Sequence, residues 1–323
     1  MGVFFSSTVF SSMLRIATPL TIAALGCLLC YKTGVLNLAL EGIMLVGAFA
    51  SVAVVIWTDG NVWLGLLGGT IAGGIISMVF GLAVVRFRAN HIISSIAINM
   101  LGLGMTTYLL RAIFETQGQI RPSTIEKLPL LDLPFLEKIP VIGKALNGQS
   151  PITWLAFLLT IACFVLLYKT EFGLNICAVG ESEDAARTAG VSPERIRWQV
   201  IIIAGLLCGL AGGYISTITV SEFTENMISG RGFTAFTAVV FGGAHPVFVW
   251  LVTLLLGYAD AVGIQIELVG TGIPSSIVKM FPFILALVSL VIASGTQKLR
   301  TSGGIIRRAC DKPERNGNKN IKR

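Results

Sequence analysis

Charge is scarce in this sequence. Only 13% of its 323 residues are Asp, Glu, Lys or Arg, about half the share found in soluble domains. A well-solvated globular surface over most of the chain is thereby excluded. Histidine is nearly absent as well, with two residues, His91 and His245. There is no His-x-x-x-His pair, no Gly-x-Ser-x-Gly elbow and no acidic cluster at metal-ligand spacing, so hydrolytic and metal-centre chemistry lack their reacting groups. No Gly-x-x-x-x-Gly-Lys-Ser/Thr loop is present, so the chain does not cradle ATP in that way. We therefore expect no enzyme, no cofactor and no metal. The start of the chain lacks a basic n-region and a small-residue cleavage site, and no cleavable signal peptide is expected. Six cysteines form no disulfide framework. Cys27-x-x-Cys30 lies in an apolar stretch without His or acidic neighbours, where packing is the favoured reading over redox or metal binding.

What is abundant is apolar length. The composition is 54% hydrophobic with a mean hydropathy of +0.81. Runs near the roughly 20 residues that cross about 30 Å of hydrocarbon recur along the chain. They fall at 10–30, 36–57, 63–85, 92–111, 151–168, 198–220, 233–245 (short), 247–266 and 279–296. The expected fold is an all-α polytopic membrane protein, with a membrane domain at 1–297 and a basic tail at 298–323. Glycine is frequent, at 36 residues. Gly69-x-x-x-Gly73 and the Gly205, Gly209, Gly212, Gly213 face suit close helix approach in a bilayer.

The formal charge of +7 resides in that tail, where nine Lys/Arg stand against Asp311 and Glu314. A basic tail after an apolar span is a cytoplasmic anchor near anionic lipid and not a nucleic-acid signal. Its low apolar content predicts disorder. The basic Arg86-Phe87-Arg88 loop is cytoplasmic by the same rule. The long, charge-balanced segment 112–150 is expected outside, with Pro129–Pro134 as a short amphipathic piece on the outer surface. Alternation then places 169–197 inside, Glu222–Arg231 outside, Gly242–Pro246 inside and Glu267–Pro274 outside. Nine spans put the N-terminus outside. A further crossing or re-entrant piece near Gly34–Gly42, where glycines bracket Asn37 and Glu41, would reverse that.

Loop 169–197 concentrates charge in an otherwise apolar chain. Ser182 is placed to cap a helix over 183–189, whose first turn is acidic and which Gly190 ends. Ser192 and Pro193 start a second helix that leads into the next span. Ala185, Ala186 and Ala189 are expected to form a small, flat face suited to a groove on a soluble partner. A solvated linker is the alternative. Within the spans, Glu41, Arg111 and Asp260 are the best-placed ionisable groups, with Asn37, Asn99 and Gln265 as polar companions. An intramembrane charge marks a functional site by default, while a helix-packing hydrogen bond or an interfacial anchor is the competing reading for each. His245-Pro246 is expected to be a turn at the membrane surface.

Three ordered motifs carry a resemblance that covers about residues 15–300. The stretch Gly34-Val-Leu-Asn-Leu-Ala-Leu-Glu-Gly-Ile-Met-Leu-Val-Gly-Ala-Phe49 resembles the first signature of the ABC-importer permeases for branched-chain amino acids, ribose-type sugars and nucleosides. Gly173-Leu-Asn-Ile-Cys-Ala-Val-Gly-Glu-Ser-Glu-Asp-Ala-Ala-Arg-Thr-Ala-Gly190 is similar to that family's cytoplasmic, ATPase-contacting loop. Gly230-Arg-Gly-Phe-Thr-Ala-Phe-Thr-Ala-Val-Val-Phe-Gly-Gly-Ala-His-Pro246 is similar to a third signature. The wording is nearest the nucleoside branch, with simple sugars next. The resemblance implies a type II importer fold of about ten spans, against nine counted here. It also implies a partner ATPase, a second and paralogous permease subunit, and an extracytoplasmic substrate-binding lipoprotein. Gly180, Glu181, Ala185, Ala186 and Gly190 would belong to the ATPase-coupling element, while Asn37 and Glu41 match the first signature without an assigned role. The rivals are an ion-coupled secondary transporter, which needs a midplane ion site and internal repeats, and an intramembrane enzyme, which lacks a reactive cluster here.

Overall fold

A backbone inside hydrocarbon must satisfy its own N–H and C=O groups, and an apolar chain does so by forming helices. The computed structural model describes residues 7–122, 124, 147–269 and 280. The described elements lie within the unit Met1–Lys279. They run α1 (Ser7–Lys32), α2 (Leu40–Trp57), α3 (Val62–Gly81), α4 (His91–Phe114), β1 (Gln119–Ile120), α5 (Pro151–Lys169), α6 (Glu171–Glu181), α7 (Glu183–Thr188), α8 (Pro193–Tyr214), β2 (Phe223–Thr224), α9 (Arg231–Phe241) and α10 (Pro246–Val269). The ends of α3 and α8 widen into π-helical turns at Leu82–Arg86 and Ile215–Val220.

Seven helices among the described residues are long and apolar enough to cross a membrane, and Arg231–Phe241 is a shorter apolar helix. Seven of the expected spans are therefore present. The expected span at 233–245 is only the half-length α9. Its 11 residues cover about 16 Å, roughly half of the hydrocarbon. The expected span at 279–296, the tail at 298–323 and the surface piece Pro129–Pro134 lie outside the described residues. The span expected from residue 36 begins instead at Leu40, because residues 34–39 are not helical.

Of the spanning helices α1 is the most buried and α4 the least. Hydroxyl pairs join α1 to its neighbours: Thr21 and Thr253 Oγ1 lie 2.7 Å apart, and Thr18 Oγ1 donates to Thr153 Oγ1 at 3.3 Å. Such bonds between helices stabilise by about 0.6–2 kcal/mol in a bilayer. The predicted glycine faces form a close contact between helices. A Cβ on Gly73 would lie 2.5 Å from the Gly205 oxygen and 2.6 Å from the Gly209 Cα, and one on Gly47 would lie 2.6 Å from the same Gly209 Cα. Thus α2, α3 and α8 meet backbone to backbone, where dispersion replaces the hydrophobic effect as the adhesive force.

The loops sort to two ends. Arg88 faces Glu194 at 3.9 Å, so the Arg86–Arg88 loop and loop 169–197 share one end, as charge alone predicted. At the other end β1 pairs antiparallel with β2, with Gln119 opposite Thr224. Replacing Gly73 by Leu should collide with backbone that cannot yield, at a cost of about 1–3 kcal/mol or more. The expected result is a lowered melting temperature and loss of monodisperse protein in detergent gel filtration, whereas Gly104→Leu, at a position open to its surroundings, should leave both unchanged.

Candidate functional site

Two regions concentrate polar residues. The first is loop 169–197. Thr170 caps α6 by accepting from Gly173 N at 3.2 Å. Ser182 then ends α6 and starts α7, its Oγ accepting from Ala185 N at 3.3 Å. Gly190 stops α7 in a left-handed conformation, φ +82°, with Val191 N donating to Ala186 O at 3.0 Å. Pro193 opens α8. The expected caps and short helix are present. Helix α6 was not anticipated, because its glycines and Asn175 read as loop.

Six residues cannot hold a helix alone, and α7 is braced by charge. Glu183 accepts from Arg187 at 2.8 Å within the helix and pairs with Arg197 of α8 at 2.9 Å. Glu194 lies 3.8 Å from Arg187 and 3.9 Å from Arg88. Arg88, Glu183, Glu194 and Arg197, with His91, line a cleft of about 310 Å³. Burial works to raise the Glu183 carboxyl, but the Arg197 and Arg187 guanidiniums outweigh it and hold the group below its ordinary value. The brace is thus complete above the usual glutamate range and fails only as pH falls through the lowered value.

The expected alanine face is altered in one respect. Ala186 is 2% exposed and packs inward, while Ala185 and Ala189 are exposed. Glu181 is also exposed. Gly180 abuts the Lys32 carbonyl at the end of α1, leaving no space for a Cβ.

The second region begins where α1 ends. From Gly34 to Ala39 the chain climbs beside the first turns of α4 without forming a helix. Its amides are met by one face of α4. Leu36 N donates to His91 Nδ1 at 3.2 Å, Leu38 N to Ser95 Oγ at 3.1 Å and Gly42 N to Asn99 Oδ1 at 2.8 Å. Asn99 Nδ2 returns a bond to Leu38 O at 3.0 Å. From Leu36 to Leu38 the pairing works because two extended residues advance about 6.6 Å and four helical residues about 6 Å; from Leu38 to Gly42 the chain has turned into α2 and four residues match four. Asn37, fully buried, turns the chain into α2: its Oδ1 accepts from Ala39 N at 3.0 Å and its carbonyl from Cys27 Sγ at 3.7 Å. The Cys27 and Cys30 thiols thus pack on this segment, as the packing reading expected.

Helix α2 therefore starts inside the protein. Asn99 lies two turns beyond His91, which puts Gly42 about 12 Å in from the basic end, near mid-depth of a 30 Å layer. Glu41, half-buried in the first turn of α2, accepts from Gly230 N at 2.6 Å and from Gly232 N at 3.0 Å. Those amides form the N-terminus of α9. The segment Glu222–Arg231, expected wholly outside, instead descends from β2 to this depth. Helix α9 continues to the turn Gly242–His245, where the His245 ring sits 5.4 Å from Tyr168 and 5.8 Å from Phe164. His245 is thus a turn residue, as expected, packed on the stem of loop 169–197.

The structure brings Asn37, Glu41 and Asn99 together and does not add Asp260, which lies half-buried on α10, a helix packed chiefly on α1. Arg111 is an exposed partner of Glu225 at 3.8 Å. The residues that sequence reasoning missed are His91 and Ser95, although their spacing of four with Asn99 was a visible signal. Gly230 and Gly232 carried no signal that they meet Glu41. Among the described residues no cluster of three His, Cys, Asp or Glu could hold a metal ion.

A bundle of apolar helices with glycine-close contacts, a charge-braced surface helix at its basic end and two helix starts facing each other at mid-depth is the build of a solute permease. Residues 9–290 match the family of branched-chain amino acid transport system permease components, and the chain belongs to that family. It is 36% identical over 321 residues to the guanosine ABC transporter permease protein NupQ of Bacillus subtilis, covering 96% of this chain and 95% of the relative. It is 33% identical over 296 residues to the nucleoside ABC transporter permease protein NupC of Lactococcus lactis, covering 89% and 92%. A second guanosine permease protein of Bacillus subtilis, NupP, is 28% identical over 301 residues, covering 91% and 83%. No solved structure matches the chain. It is a multi-pass protein of the bacterial cell membrane and a transport subunit.

Replacing Asn99 by Leu should remove both bonds to the extended segment and destabilise the protein by about 1–2 kcal/mol, seen as a lower midpoint in thermal unfolding. Glu183→Gln should free α7 at neutral pH, seen as several-fold faster tryptic cleavage after Arg187. Wild-type protein should keep its slow cleavage over the whole working range of trypsin, because the brace releases only in acid.

Proposed function

We propose that this chain is one of two permease subunits of an ATP-driven importer for nucleosides. The single observation that carries the cargo class is end-to-end similarity to two permeases named for nucleoside and guanosine transport. A filled anion position at mid-depth agrees with it: the Gly230 and Gly232 amides, which would attract a negative solute, already bind Glu41. An uncharged cargo then crosses without competing for them. The second subunit is a paralogue, in keeping with the similarity of this one chain to both NupQ and NupP of one organism.

Loop 169–197 is the cytoplasmic ATPase-coupling element in this reading. Gly180 sets α6 against the end of α1, Gly190 turns the chain back, and Glu181, Ala185 and Ala189 form the surface that docks. Ala186 holds α7 to its own protein. Binding of ATP by the partner subunits closes them, displaces α7 and tilts the spans, a rigid-body switch between inward- and outward-facing states. An extracytoplasmic binding lipoprotein delivers cargo to the opposite end and sets most of the selectivity.

The test is uptake of radiolabelled guanosine in cells that lack their own nucleoside importers, with this chain expressed beside its ATPase, second permease and binding protein. Saturable uptake that vanishes without the ATPase is expected. Uptake that persists without it would establish an ion-driven carrier, and uptake of ribose in place of guanosine would establish the sugar branch. Within the working importer, Ala185→Arg should abolish cargo-stimulated ATP hydrolysis at unchanged abundance. Ala186→Arg should instead lower abundance, because it forces a charge into a buried site.

A further inference from the structure

Helix α9 has an N-terminus that its own sequence cannot cap. Gly230 occupies the capping position in a left-handed conformation and offers no side chain. Arg231 N is met locally by Ile228 O at 3.1 Å, but the N–H groups of Gly230 and Gly232 would be left without partners in a medium that supplies none. The cap arrives from another helix, as the Glu41 carboxylate bridging Gly230 N and Gly232 N. The same carboxylate lies in the first turn of α2, where negative charge is also favourable. One side chain thus serves two helix starts. The fit is close: a Cβ on Gly232 would lie 2.5 Å from Glu41 N and 2.9 Å from its Oε2, so a larger residue at 232 would push the two elements apart.

Two lines of contact run from loop 169–197 to this point. One passes from Gly180 to the Lys32 carbonyl and then up the extended segment, whose base is tied to His91. The other passes from Phe164 and Tyr168, at the stem of the loop, to His245, and up α9 to Gly230. They enter α2 and α9 separately; α9 also packs along α1, and the hydrogen bonds that tie its start to α2 are those of Glu41.

We propose that Glu41 is a positioning residue for transport: its carboxylate holds the start of α9 against the start of α2 near mid-depth, and so transmits displacement of loop 169–197 to the pathway. This inference rests on the permease reading above. Without the carboxylate, the start of α9 loses its tie to α2, while its buried Ala235, Ala238 and Val239 stay packed and its lower end stays on His245. The loop then still moves with ATP, but the motion no longer reaches the interior.

The test uses the complete importer in liposomes and three variants. Glu41→Ala is expected to lower guanosine uptake at least tenfold while ATP hydrolysis continues. Added formate, a small carboxylate, should restore uptake saturably, and neutral formamide should not. Glu41→Gln keeps the side-chain volume and should show the same loss, so the proposal stays testable if the alanine variant fails to insert. A second readout needs no cargo. Spin labels at Tyr108→Cys on α4 and Phe233→Cys on α9, in a Cys177→Ser, Cys310→Ser background, should give one narrow distance with Glu41 and a broad distribution with Gln. Uptake within twofold of wild type in Glu41→Gln, or an unchanged narrow distance, overturns the proposal. So does failure of formate to act on an inserted Glu41→Ala protein. Absence of guanosine uptake in the wild type would count against the cargo assignment alone, because the label distances still report on Glu41.

Discussion

The constraint on which this structure depends is that a backbone in hydrocarbon has no water to bond with. Each unpaired N–H or C=O there costs several kcal/mol. Continuous helices meet the requirement over most of the chain. Where the chain leaves the helix, at residues 33–39 and again before α9, the requirement is met by side chains borrowed from elsewhere. His91, Ser95 and Asn99 serve the first break, and Glu41 serves the second. Irregular backbone at membrane depth is tolerated only inside protein or along a cavity. The two breaks therefore mark where this protein departs from a simple bundle.

The rest of the architecture gives those breaks a rigid setting. Backbone contact among α2, α3 and α8 leaves little freedom for α2 to shift by itself, and α1 is locked to α10 and α5 by hydroxyl pairs. The half-length α9 packs along α1 through its middle and is tied at its ends to Glu41 above and to the ring cluster of His245 below. Loop 169–197 shows the same economy: a six-residue helix is kept in place by two carboxylates and three guanidiniums shared among α7, the base of α8 and the loop after α3.

Much of this was legible in the sequence because it is local. Ser182, Gly190 and Pro193 announce a short helix and its ends through bonds that span only a few residues. Apolar runs located the long helices to within a few residues, and Gly34 and Gly42 flagged a broken entrance to α2. What was illegible is what requires distant partners. Glu41 and Gly230 are separated by 189 positions, and no pattern near either names the other. Ala186 looked like its neighbours Ala185 and Ala189, because a helix of under two turns does not repeat its pattern often enough to reveal which side it buries. Helix α6 went unread because Gly173 and Gly180, which permit close approach to α5 and α1, have the composition of a loop.

The match between an extended strand and a helix face at residues 34–42 behaves as a graduated scale. Its marks are His91, Ser95 and Asn99 on α4, set four residues apart, and the amides of Leu36 and Leu38, set two apart, followed by that of Gly42 in the first turn of α2. The three ties fix one register: a one-residue slip would carry Leu36, Leu38 and Gly42 away from His91, Ser95 and Asn99 together, so the entrance to α2 is pinned at a single depth along α4.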